Sequence, residues 1–163
     1  MDPMTLGARG KARSFFQQAY RHQRRGELLK AIECYKASLA HHETAEAHTF
    51  LGWTYSFMRM YEEAIAQCEQ AIRVDPEFGN PYNDIGVYLI ELQRPSDAIP
   101  WLQRALDAPR YDPRQFPWYN LGRVYEQLGA PSDAMRHYRR ALELDPDYAL
   151  ARDALKRLLG RMN

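Results

Sequence analysis

Residues 51–78 read LGWTYSFMRMYEEAIAQCEQAIRVDPEF, and residues 121–148 read LGRVYEQLGAPSDAMRHYRRALELDPDY. Both open on Leu-Gly and end near Asp-Pro, with Pro76 and Pro146 separated by 70 residues. A further copy lies between them. Gly52, Gly86 and Gly122 recur at intervals of 34 and 36, as do Ala64, Ala98 and Ala134, and Ala71, Ala105 and Ala141. Ala31 stands 33 residues before Ala64 and opens a more degenerate first copy. A fixed period of this length decides the architecture before any single element is assigned.

Each copy holds two helical patterns. In the second, Ala64, Ile65, Cys68, Ala71 and Ile72 fall on one face of a helix. Asp75-Pro76 and Asp145-Pro146 end that helix, because proline cannot continue it and restricts the residue before. Two helices of a hairpin approach closely only where one presents no bulk. Gly52, Ala64 and Ala71 supply those points, and Leu51, Tyr55, Tyr61 and Ile72 fill the space around them.

The pattern resembles the tetratricopeptide repeat (TPR) family. The resemblance rests on Leu51-Gly52, Tyr55, Ala64, Ala71 and Pro76, on Ile85-Gly86, Ala98 and Ala105, and on Trp118, Leu121-Gly122, Tyr125, Ala134, Tyr138, Ala141 and Pro146. The first copy keeps Phe15, Ala19, Gly26, Ala31 and Tyr35 but has Ser38 and Glu43 where alanine and proline are usual. The resemblance implies an all-α TPR superhelical solenoid of antiparallel helix hairpins. The expected organisation is a flexible N-terminus at 1–11 and four repeats at 12–44, 45–78, 79–112 and 115–148. A capping helix and tail at 149–163 follow, with Ala151, Ala154, Leu155 and Leu158 as the cap's apolar stripe.

The last two repeats are joined by an irregular stretch. Pro109, Pro113 and Pro117 fall within DAPRYDPRQFPWYNLG, residues 107–122. Pro117 fits a helix start, as Pro81 does, because the first amides of a helix have no intrahelical acceptor. Pro109 and Pro113 stiffen a longer loop at about 107–116 that offers Arg110, Tyr111 and Arg114 as contact candidates. Pro100 falls inside a helical pattern and is expected to kink it.

Composition narrows the function. The 163 residues are 45% hydrophobic and 26% charged, ordinary for a globular chain. A net charge of +1 excludes a general polyanion binder, but the charge is uneven. Residues 1–44 carry 8 basic and 4 acidic side chains, residues 45–112 carry 5 and 11, and residues 113–163 carry 9 and 6. The acidic middle argues against nucleic acid, which needs a basic stripe. Cys34 and Cys68 read as structural thiols in a reducing compartment. The N-terminal residues lack the apolar core of a signal peptide, and no run approaches 18 apolar residues. A cytoplasmic protein without membrane insertion is expected. No phosphate loop or nucleophile motif is present, so neither an enzyme nor a cofactor is expected. His41, His42, Glu43 and His48 read as turn residues and not as a metal site. His22 is placed on a packing face and His137 toward solvent.

The first helices of such an array line a concave surface. The helical period points Arg13, Phe16 and Tyr20 there from the first repeat, and Thr49, Phe50, Trp53 and Phe57 from the second. The third gives Asn83, Asp84, Val87 and Ile90, and the fourth Phe116, Tyr119, Asn120 and Arg123. Clustered aromatics off the packing positions mark an interaction site. The resemblance implies a further point. Asn120 and Asp84 stand where peptide-binding arrays often carry an asparagine for the ligand backbone. Co-chaperone members clamp a C-terminal carboxylate with Lys, Asn and Arg from successive first helices. Neither register offers those cations here, and Asp84 would repel a carboxylate, which argues against a heat-shock-chaperone tail. The expected function is a non-catalytic adaptor binding a peptide or protein segment in the groove. The alternatives are a TPR-type secretion chaperone, which the string Pro113–Trp118 resembles, and an envelope or pilus-assembly TPR factor.

Overall fold

The structure, a computed structural model, describes residues 3–162. Nine α-helices follow one another among them: α1 (Pro3–Arg24), α2 (Leu28–His41), α3 (Ala45–Phe57), α4 (Tyr61–Val74), α5 (Asn80–Glu91), α6 (Pro95–Asp107), α7 (Gln115–Gln127), α8 (Pro131–Leu144) and α9 (Ala149–Met162). They pair as hairpins α1–α2, α3–α4, α5–α6 and α7–α8, each packed on the next, with α9 against α8. The first helices α3, α5 and α7 also touch one another and form one wall of the array. Residues 1–11 were expected as a flexible lead. Instead α1 begins at Pro3, so most of that segment extends the first helix.

The repeating small residues sit where the helices cross. Ala64, Ala71, Ala98, Ala105, Ala134 and Ala141 are all fully buried. A methyl group on Gly86 would run into Leu102, and one on Gly122 into the ring of Tyr138. Hairpins one and four share a second device. Tyr35 donates to Gln23 Oε1 at 2.7 Å and Tyr138 to Glu126 Oε2 at 2.6 Å, both across 12 residues. Ser38, at a position expected to hold alanine, is buried and donates its hydroxyl to the carbonyl of Ala12 at 2.8 Å.

The ends of the helices follow local chemistry. Thr44 caps α3 by accepting from the Ala47 amide at 3.2 Å. Asp75 and Asp145 close the loops after α4 and α8 by accepting from the amides of Glu77 and Asp147. Each hairpin turn holds a left-handed residue: Gly26 at φ 74°, Arg59 at 60°, Gln93 at 59° and Gly129 at 71°. Pro100 lies inside α6, which continues through it. At the C-terminal end, Ala151, Ala154 and Leu158 are buried, and Ala154 and Leu158 pack with Ala134, Met135 and Tyr138. Leu150 points away, 56% exposed.

The proline-rich connection does not project. Arg110 donates its amide to Glu77 O and accepts from the Gly79 amide, pinning the loop to the one that precedes α5. Its guanidinium pairs with Asp75 and Glu46 and lies over the Phe78 ring. Arg114 donates to the carbonyls of Leu106 and Ala108. Tyr111 is buried among Tyr82, Ala105 and Ala108. The expectation that Tyr111 forms a contact surface is therefore corrected, since its ring is buried; Arg114 is turned onto the protein's own carbonyls, while Arg110 stays exposed but is paired with Asp75 and Glu46.

Candidate functional site

Five aromatic side chains from α1 and α3 form one continuous run. Phe50 is its hinge. Its ring lies 5.2 Å from Phe16, 5.8 Å from Tyr20 and 5.7 Å from Trp53, in each case edge to face. Trp53 continues to Phe57 at 5.5 Å. The inner end is anchored in the core, since Phe16 meets the buried Tyr35 at 5.4 Å. The outer end is open: Tyr20, Trp53 and Phe57 are 41%, 45% and 53% exposed. Trp53 and Phe57 lie four apart, one turn of α3, so they share a face.

Beside this run lies a cavity of about 430 Å³ whose lining includes Arg9, Arg13, Phe16, His42, Glu46 and Phe50. Arg13 is exposed at its edge. Arg9 and His42 were not among the expected site residues. Arg9 lies one helical turn before Arg13, the one sign available in the sequence.

The centre of the wall is polar and partly closed. Asn120 donates its amide to Asn83 Oδ1 at 3.0 Å, with both residues buried. The two asparagines expected to meet a ligand are engaged with each other. Thr49 is buried and donates to the carbonyl of Ala45. Ile90 is also a core residue, 1% exposed, and Val87 packs against the same core. Placing Asn83, Asn120, Thr49 and Ile90 in an open groove is corrected accordingly. Arg123 is held by Glu91 at 2.6 Å and by Asn120 at 3.4 Å. Asp84 is half-buried, and burial pushes its carboxyl up to about 7 against a weak lowering by the Asn83 amide.

A second aromatic group closes the far end. Tyr148 meets Phe116 at 5.4 Å and Tyr119 at 5.2 Å, and Tyr119 also faces Tyr138. Tyr148 was not foreseen as a site residue; its counterpart Phe78 in the earlier copy was the available sign.

The histidines divide. His48 is buried between Gln67 and Glu43, and His22 bonds to Glu27. His137 was expected in solvent. It is instead stacked between Trp118 at 5.5 Å and Tyr125 at 4.9 Å, with both ring nitrogens unpartnered and its pKa lowered by burial. Among the described residues no group of three His, Cys, Asp or Glu side chains gathers to hold a metal ion. No described helix is long and apolar enough to cross a membrane.

Comparison with known proteins places this geometry. The family described as "Tetratricopeptide repeat" matches residues 45–78 and 117–148. A human relative, protein O-mannosyl-transferase TMTC3, is 35% identical over 91 residues, covering 55% of this chain and 10% of its own. The chain thus spans a small part of that curated relative's length. Among solved structures, that of pilF from Pseudomonas aeruginosa superposes with a TM-score of 0.87 at 22% identity, covering 96% of this chain and 71% of that one. PilW, titled a type IV pilus biogenesis factor, gives 0.83 at 21% identity over 90% and 68%. The first repeat domain of Spaghetti (RPAP3), bound to an HSP90 peptide, gives 0.67 at 20% identity over 74% and 94%.

Proposed function

This chain is a tetratricopeptide repeat protein, and we propose that it is a non-catalytic binding module that holds a segment of a partner protein along its concave wall. One observation carries the reading: the run Phe16–Phe50–Trp53–Phe57, with Tyr20 alongside, is rooted in the core at one end and open at the other. Rings so fixed are already ordered, so a partner gains apolar contact without freezing them. Tyr20, Trp53 and Phe57 act as anchors, and Arg13 borders the adjoining cavity. Asn83 and Asn120 hold α5 against α7 and shape the wall. Tyr119 and Arg123 border its far end. The Spaghetti domain supports the mode, because an array of the same fold carries a peptide.

Two finer readings use the same wall: a secretion chaperone holding its substrate, and an envelope or pilus-assembly factor. The pilus reading is the one to which a structural neighbour's description lends support.

A photo-crosslinking amino acid at position 57, compared with one at the exposed Gln103 of α6, tests the reading in the native cell. Position 57 captures a discrete protein and position 103 does not. Capture from 103 alone moves the site off the concave wall and sinks the proposal.

A further inference from the structure

Asp84 is a half-buried carboxylate without a cation. Among the described residues no ion pair includes it, and its one polar contact is the Asn83 amide at 3.5 Å. The arginine on the neighbouring inner helix is engaged elsewhere, because Arg123 reaches Glu91 and Asn120. A charge taken out of water without a counter-charge is costly, and its retention in a binding wall marks a place where a partner supplies the missing charge.

The repeat geometry says what stands beside it. Asn120 lies two residues before the helix glycine Gly122, and it bonds to Asn83, three residues before Gly86. Asp84 holds the first position relative to Gly86, and Thr49 the second relative to Gly52. By the equivalence of the repeats, Asp84 on α5 corresponds to Asn120 and Thr49 on the adjoining α3 corresponds to Asn83, and the Thr49 hydroxyl is already given to Ala45 O. Trp53 lies four residues beyond Thr49 on α3, about 6 Å along the helix, and is 45% exposed. A carboxylate on α5 and an open indole ring on the adjoining α3 together suit a cation, which gains from the charge and from the ring face. The stretch that supplies α3 and α5 is acidic as a whole: residues 45–112 carry 11 acidic and 5 basic side chains.

We propose that Asp84 receives a basic side chain of the bound segment, a lysine or arginine seated on its carboxylate with the Trp53 ring beside it. This rests on the concave-wall reading above and adds the chemistry of the partner: an apolar side chain for the aromatic run, with a cation next to it. The raised pKa of Asp84 fits a carboxylate waiting for that cation.

A random dodecapeptide library displayed on phage, selected on the immobilised full chain, tests this. The selected peptides are synthesised and measured by fluorescence anisotropy. They carry lysine or arginine close to a large apolar residue. Asp84→Asn weakens them at least about tenfold, and replacing the peptide lysine by norleucine has the same effect and abolishes the sensitivity to Asp84→Asn. Asp84→Asn melts no lower than the parent, because it removes an uncompensated charge. Peptides that lose affinity on Trp53→Ala but ignore Asp84→Asn overturn this inference and leave the wall reading standing. Peptides that ignore both, or a library that yields none, overturn both.

Discussion

Asn120 on α7 donates its side-chain amide to Asn83 Oδ1 on α5, 3.0 Å away, and both residues are buried. This bond joins adjacent repeats and makes each asparagine the other's partner. Removing one side leaves the other's polar group stranded. Asn120→Ala is expected to cost about 1–3 kcal/mol, and the double variant with Asn83→Ala less than the sum of the singles. Chemical denaturation of the four proteins checks it; additive losses would show that the bond carries no coupling.

The connection at 107–116 makes a second stability prediction. Tyr111 is 3% exposed and packs on Tyr82 and Ala108. Tyr111→Ala is expected to destabilise by about 3–5 kcal/mol, as other large aromatic truncations do. A melting temperature equal to the parent's would mean the ring is not part of the core.

Hairpin turns supply a third. Arg59 and Gln93 adopt the left-handed conformation that glycine holds at the equivalent positions 26 and 129. Gln93→Gly is expected to raise stability by up to about 1 kcal/mol through relief of that conformation, and Gly129→Ala to lower it by a similar amount. A loss on Gln93→Gly or a gain on Gly129→Ala in thermal melts would break the equivalence of the turns.

His137 supplies a pH dependence. Burial, with Arg136 nearby, lowers its folded pKa below the ordinary 6.5. The unfolded chain then binds the proton more readily. The stability that His137 contributes is full above pH about 6.5 and is lost as pH falls from there toward the folded pKa. In His137→Phe, which keeps the stack with Trp118 and Tyr125, that part of the loss disappears. Melting temperatures of both proteins between pH 7.5 and 5 check it. Parallel curves would contradict the assignment.

Much of the fold was legible because its signal is repeated. Glycine and alanine positions recurring at 34 and 36 residues reported the helix crossings directly. The site was less legible, for a physical reason. Helical period shows which way Asn83, Asn120, Thr49 and Ile90 point, but not whether a neighbouring repeat covers them. Coverage depends on how tightly α3, α5 and α7 stack, which no single repeat encodes. Tyr111 illustrates the same limit: three nearby prolines announced a stiff loop, while the burial came from docking onto the loop before α5. His137 was misplaced because the Trp118 and Tyr125 rings that cover it belong to the other helix of the hairpin.

The central claim is that the open aromatic run on α1 and α3 binds the partner. Its most direct test is the affinity of Trp53→Ala for a peptide selected on the parent protein, measured alongside its melting curve. Trp53 is 45% exposed, so the variant folds with a melting temperature close to the parent's. A central anchor is worth about 2 kcal/mol or more, so affinity falls by about 30-fold or more. A folded variant that binds as tightly as the parent, or one that fails to fold, would contradict the account.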